Sequence, residues 1–397
     1  MTTPNPTGEA LPLAGLVVAD FSRILAGPLC TMILADLGAD VIKIERPGQG
    51  DDTRSWGPPF VEGDAAYFLS INRNKRSIVL DLNDPDDLEL ARGIVNRADV
   101  VVENFRPGVM AAFGLDYDTV AGENPDLVYC SIPAFARSAD KALLPGYDLL
   151  MQAFSGFMSI TGEKDGEPVK MGVAILDVVA GLYGVVAILA ALRQRDSSGS
   201  SRRVQVGLFE ASIATLVNQA ANYLIGGTVP TANGNAHPNI VPYQSFTAGD
   251  GRFVVAAGND KLFQATCRAI DREDLLADSR FETNADRVEH REVLTDELER
   301  TFGSAGVGHW VKLLAEAGVP AAPVRSIDEV FESPESQAMV SRVEDPVRGV
   351  LSLVGSPIDN IGLDGDSTRP PPRLGEHQEE IERWVETTPP RGGMVPR

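Results

Sequence analysis

What most constrains this chain is the regular alternation of short β-prone runs with helical ones through its first half. "LAGLVVADF" reads as a buried strand, "GPLCTMILADLG" as a helix and "DVIKIER" as a second strand. The pattern returns in "RSIVLDL", "DPDDLELARGIVNRA" and "DVVVENF", with apolar periods suited to each element type. Successive parallel strands need a crossover, so this grammar specifies an α/β fold with a mostly parallel sheet and helices on both faces. "DLVYCSI" adds a strand, and "RRVQVGLFEASIATLVNQAANYL" runs from a strand into a helix.

From about residue 226 the texture changes. "GGTVPTANGNAHPNIVP" reads as a Gly/Pro/Asn linker, and "YQSFTAGDGRFVVAAG" places two β-prone runs around a GDG turn, the pattern of a hairpin. A chain of 397 residues exceeds the usual span of one core. We therefore expect a large domain over 12–225, a smaller α+β domain over 226–330, and a segment over 331–388 that returns to the large one. Residues 1–11 and 389–397 read as disordered tails.

Net charge is −21, from 35 basic and 56 acidic residues. That balance argues against nucleic acid or anionic lipid as a partner, and an anionic ligand needs a local basic nest. The apolar runs read as too short and too Gly-interrupted to span a bilayer, and the start of the chain lacks the pattern of a secretory signal, so a cytoplasmic protein is expected. Three isolated cysteines and four scattered histidines suggest reduced core residues and no metal site.

Two features stand out as candidate sites. "GVAILDVVAGLYGVVAILAALRQR" reads as a buried helix, yet Asp177 stands at its head. An aspartate there is an N-cap or a functional carboxylate. Gly181 and Gly184 share its face. Helix-interior glycine costs up to about 1 kcal/mol, so something comes close to that face, either another backbone or a substrate. The second feature is a basic set, Arg46, Arg54, Arg73, Lys75, Arg76 and Arg106, several at strand ends where open sheets bind ligands. Phosphate recognition by cations is one reading; solvated surface ion pairs are the other. The first strand–helix turn, "DFSRILAGP", is not GxGxxG, and neither GxxxxGK[ST] nor GxSxG occurs.

Taken together, "GLVVADFSRILAGP", "LADLGADVIKIERPGQGDDTR", "NRNKRSIVLDL", "VVENFRPGV", "PGYDLLMQAFSGFMSITG", "DVVAGLYGVVAILAALRQR" and "PPPRLGEH" resemble the family III CoA-transferases, whose sister branch is the α-methylacyl-CoA racemases. The resemblance implies a large Rossmann-like domain with a smaller one, an interlocked homodimer, and coenzyme A thioesters as substrates with no permanently bound cofactor. It places the nucleophile at Asp177. CoA contacts fall at Leu25, Ala26, Arg46, Leu80, Asn104, Phe105, Arg106, Tyr147 and Asp148, with Lys75 of the basic set beside them. An acyl-site loop corresponds to "NGNAHPN", with Asn235 and His237.

A carboxylate suits this chemistry because it can itself carry CoA as a thioester, whereas serine or cysteine takes only the acyl group. With a reference pKa of about 4 it is expected to be ionised at neutral pH, helped by the helix N-terminus. The racemase branch carries histidine where this chain has Tyr147, and a phenol of reference pKa about 10 is a poor acid/base partner, so a transferase acting on an acyl-CoA and a free carboxylic acid is preferred. A catalytically silent CoA-binding subunit is the third reading. "SIPAFARSADKALLPG" and "SSGSSRR" depart from the family pattern. Leu25 stands where the formyl-CoA branch has glutamine, pointing to a less polar acyl group than oxalate or formate.

Overall fold

A computed structural model describes residues 10–138, 140–198, 202–358 and 368–391. Most of both expected tails, and part of "SSGSSRR", lie outside them. The chain divides into two compact units, one of Met1–Ser155, Met171–Leu224 and Ala338–Arg397, the other of Gly156–Lys170 and Ile225–Gln337.

The larger unit is built on a six-stranded sheet of β1 (Val17–Asp20), β2 (Asp40–Glu45), β3 (Lys75–Val79), β4 (Val100–Glu103), β5 (Val128–Ser131) and β6 (Arg202–Gln205). Its order is β3-β2-β1-β4-β5-β6 and every pair is parallel, as the alternation predicts. This is the doubly wound order, whose direction reverses between β1 and β4 and opens a crevice at the strands' carboxyl ends. The unit's helices include α1 (Ala26–Asp36), α2 (Ala66–Ser70), α3 (Pro85–Val95), α4 (Asp148–Phe154), α5 (Ile175–Ser198), α6 (Leu208–Thr215) and α7 (Val217–Leu224).

Period two along the strands separates two unlike faces. Ala19, Ile42, Ile78, Val101 and Tyr129 pack with Ala91, Ile94 and Val95 of α3 into an apolar core. On the opposite face, register sets Asp20 beside Lys43, and Lys75 beside Val41. That face holds buried charge, and α1 and α5 pack against each other.

Helix α5 is long and apolar enough to cross a membrane by length and composition alone, contrary to the expectation from its glycines. Half of that stretch is buried within the unit. The glycines serve the packing: a Cβ on Gly181 would lie 2.7 Å from the Ala26 carbonyl oxygen, and one on Gly184 would lie 3.1 Å from Cys30 Sγ. Of the two readings of that bare face, another backbone is what comes close.

In the smaller unit the expected hairpin forms from β7 (Tyr243–Ala248) and β8 (Gly251–Ala256), and β9 (Ala321–Pro323) pairs antiparallel to β8. Helices α8 (Asp260–Ala269), α9 (Arg291–Phe302) and α10 (Val307–Glu316) cover it, around a core with Phe246, Phe253, Phe302 and Trp310. The chain then returns to the larger unit as a hairpin of β10 (Val340–Asp345) and β11 (Gly349–Val354), followed by α11 (Gln378–Thr387). The start of α11 and the residue before it lie along the outer edge of the sheet: the His377 amide donates to the Ser77 carbonyl at 3.0 Å, and the Val79 amide to Gln378 Oε1 at 3.0 Å.

Candidate active site

Asp177 is the third residue of α5, inside its first turn, so it is not the N-cap. The capping role falls to Asp148, whose carboxylate accepts from the Leu176 amide at 2.8 Å and the Asp177 amide at 3.4 Å. Gln152, one turn further along α4, donates Nε2 to Asp148 at 2.5 Å and accepts from the Met171 amide at 2.8 Å. A carboxylate on one helix thus fixes the start of another, satisfying amides that lack intrahelical partners.

Asp177 is 8% exposed, and no cation pairs with it among the described residues. Burial, and then the Asp148 carboxylate, push its carboxyl up to about 7. The expectation of a fully ionised carboxylate at neutral pH is corrected here, because desolvation and a like charge outweigh the helix dipole.

Ahead of α5 lies the turn from Ser22 to Pro28. Ile24 holds a positive φ of 71°, and Leu25, at the N-cap position of α1, supplies no side-chain cap. The turn is pinned from beneath by two buried ion pairs, Lys43 with Asp51 at 2.8 Å and Lys75 with Asp20 at 3.0 Å. Lys43 also donates to the Ser22 carbonyl, Lys75 to the Pro28 carbonyl, and both Asp51 oxygens accept from the Ile24 amide. For Asp20, burial opposes ionisation, but the Lys75 and Lys43 ammonium groups and the hydroxyls of Ser22 and Thr31 hold its carboxyl below the usual range.

This network corrects the phosphate reading for most of the basic set. Lys75 is 1% exposed, and Asp20, Asn72 and the Pro28 carbonyl take its three donors. Arg54 is held by Glu45 and Asp64, Arg73 by Asp36, and Arg76 by Asp40 and Glu380. These cations are structural ones, each paired with a carboxylate distant enough in sequence to escape notice. Leu80 is buried in the apolar core.

Of the other candidates in this unit, Asn104 and Phe105 follow β4 and meet the turn after β1, while Arg46 follows β2. Asn104 clamps the turn, accepting from the Arg23 amide at 2.8 Å and donating to the Arg23 carbonyl at 2.7 Å. The Arg23 guanidinium lies 4.6 Å from the Phe105 ring centre. It sits 3.8 Å from Asp52, which also receives Arg46 at 2.5 Å. Arg106 is exposed, as is Tyr147, which precedes α4. Arg23 was missed by sequence reasoning, although its place directly after β1 carries the same strand-end signal as Arg46. Tyr67 of α2 was missed as well, and no sequence signal marks it: its ring packs in the apolar cluster that holds Leu25, Ala174 and Val178.

Asn235 and His237 belong to the smaller unit. Asn235 lines a cavity of about 170 Å³ with Lys164, Gly234, Arg252 and Glu299. Nδ1 of His237 accepts from the Asn239 amide at 3.1 Å, and its ring lies against Tyr243. Burial, and then Arg291, lower its pKa.

The larger unit is thus a doubly wound fold in which the buried Asp177 carboxylate has no cation paired to it among the described residues. The model of CoA-transferase family III matches residues 13–378. A succinate–glutarate CoA-transferase of Agrobacterium fabrum is 43% identical over 389 residues, covering 95% of this chain and 96% of that one. A succinyl-CoA:glutarate CoA-transferase of Homo sapiens is 40% identical over 376 residues, 94% of this chain and 86% of that one. The crystal structure of a CaiB/BaiF family protein from Brucella suis superposes with a TM-score of 0.83 at 42% identity, covering 95% of this chain and all of that one. The chain belongs to CoA-transferase family III and is an acyl-CoA:carboxylate CoA-transferase, as the motifs led us to expect.

Proposed function

We propose that Asp177 is the nucleophile and the transient carrier of coenzyme A, and that the acyl groups moved are those of short dicarboxylic acids. The observation that carries the first part is a carboxylate 8% exposed at the start of α5, with no cation paired to it among the described residues. The contacts of α5 run from Ala26 at Gly181 toward Cys30 at Gly184, so one turn earlier Asp177 comes level with the beginning of α1. There the amides of Ala26 and Gly27 have no intrahelical acceptor, and Leu25 provides no cap. Main-chain N–H groups at a helix N-terminus are suited to a developing oxyanion.

The Asp177 carboxylate attacks the donor thioester carbonyl, forming a mixed anhydride and releasing CoA thiolate. The thiolate attacks the Asp177 carbonyl of the anhydride, giving aspartyl-CoA thioester and the free donor acid. The acceptor carboxylate then attacks the aspartyl thioester, and thiolate attack on the acceptor carbonyl of the new anhydride releases acceptor-CoA and restores Asp177. The Arg23, Arg46 and Arg106 guanidinium groups, with the Phe105 ring between strand ends, suit the phosphates and base of CoA. Two relatives are named for succinate and glutarate. Leu25, buried with Met32 and Ile71, suits the methylene chain of such acids better than it suits oxalate.

The working form in this reading is a homodimer in the cytoplasm. Leu150 and Phe154 on α4, Tyr183 and Val186 on α5, and Tyr223 and Leu224 on α7 are exposed apolar side chains of one unit, and an apolar surface of that extent is normally covered. A second copy is the partner the family resemblance favours.

Incubation with succinyl-CoA and a panel of free acids, glutarate among them, tests the reading. CoA exchange, α-deuterium exchange and covalent mass are followed together. We expect exchange of CoA without exchange of α-deuterium, and a CoA adduct on Asp177 that disappears in Asp177→Ala. Near-normal exchange by Asp177→Ala removes the nucleophile assignment.

A further inference from the structure

Tyr67 is half-buried in the same unit, its ring held on one side by Trp56 at a centroid distance of 5.7 Å. On another side stands the apolar cluster containing Leu25, Ala174 and Val178. Two of those residues flank Asp177 in sequence and the third begins the α1 turn. The ring thus packs in the cluster shared by the starts of α1 and α5, and only two side-chain torsions had to be ordered to put it there. Its hydroxyl makes no hydrogen bond to protein among the described residues, although the charges of Asp177, Asp148 and Asp51 all act on it.

We propose that the Tyr67 hydroxyl is a catalytic hydrogen-bond donor, given to the acyl oxygen that turns negative each time a carbonyl at Asp177 becomes tetrahedral. The proposal rests on Asp177 as nucleophile and adds a side-chain donor to the main-chain amides at the start of α1. Burial, and then the three carboxylates, push the phenol up to about 12, so it stays protonated and remains a donor throughout the neutral range. The same carboxylates make it unfit as a base. A donor already spent on the Asp177 carboxylate would stabilise the ground state, whereas one left over is available to the charge that appears during reaction.

The test is Tyr67→Phe, assayed with succinyl-CoA and glutarate, beside a variant carrying 3,5-difluorotyrosine at position 67. Tyr67→Phe keeps the ring and its packing and should lower kcat by ~10²–10³-fold, the usual cost of one oxyanion donor, with KM for both substrates little changed. The fluorinated ring is a more acidic phenol of nearly the same shape and should raise kcat above wild type. If both variants match wild-type kcat, Tyr67 only packs and the proposal fails. A rise in KM for glutarate at unchanged kcat would make the hydroxyl an anchor for the remote carboxylate, which also overturns it. Wild-type protein analysed alongside for the CoA adduct separates the two readings. A normal Tyr67→Phe with the adduct present defeats the hydroxyl alone, while no adduct in wild type defeats the nucleophile and this proposal with it.

Discussion

Asp20 and Asp177 are buried carboxylates of the same unit, at the end of β1 and the start of α5, and they carry opposite electrostatics. Asp20 lies among two ammonium groups and two hydroxyls that hold it ionised. Asp177 is buried beside the like charge of Asp148, with no cation paired to it among the described residues, and its carboxyl rises to about 7. The first arrangement holds a loop in place, while the second stores a charge the fold would rather neutralise. A buried charge with every partner supplied is architecture. One left without partners is available for reaction, and folding bears the cost.

That contrast can be sharpened or broken by experiment. Asp177→Asn should reduce turnover by ~10⁴-fold or more, since an amide cannot carry CoA as a thioester. The same substitution should stabilise the fold at high pH. The folded pKa is raised above the unfolded value, so the folded state holds its proton where the unfolded chain has lost it. Stability from this group is therefore present at low pH and disappears as pH rises toward 7. Removing the charge should recover ~1–4 kcal/mol at pH 8 and almost nothing at pH 4, measured by urea unfolding. Wild-type kcat/KM should rise about tenfold per pH unit below 7 and then level off. A flat profile from pH 5 to 9 would erase the difference between the two carboxylates.

Lys75→Ala should do the reverse, leaving Asp20 buried beside a single ammonium. A loss of ~3–5 kcal/mol is expected, with the CoA-adduct chemistry retained in whatever fraction stays folded. Gly181→Ala, the smallest change, forces a methyl against the Ala26 carbonyl and should cost ~1–3 kcal/mol. Because it displaces α1 from α5 just beyond Asp177, it should also lower kcat; unaltered stability and kcat would mean the helices part without strain.

The parallel sheet was legible because strand and helix runs alternate with periods that differ, and "VIKIER" or "VVVENF" can hardly be anything but strands. The role of the cations was not. A lysine or arginine at a strand end looks the same whether it meets solvent or a carboxylate far along the chain, and Lys75 finds Asp20 55 positions away. Asp177 was visible as an anomaly in an apolar helix. Its neighbour Asp148 lies in "PGYD", where the family resemblance implies a ligand contact, and nothing local in that motif reveals that it caps α5. The glycines of α5 announced a close approach without saying of what, and only the positions of Ala26 and Cys30 decide it.

The outer strand of the large sheet, β3, is covered by residues about 300 positions downstream, through Ser77 with His377 and Val79 with Gln378. On a ribosome, that strand emerges long before its cover exists. The nascent polypeptide thus presents an open β edge during most of its synthesis, a template for mispairing that closes only when the last helix is made. Premature termination before residue 368 would leave it permanently unzipped, with every side chain of the reaction centre already translated.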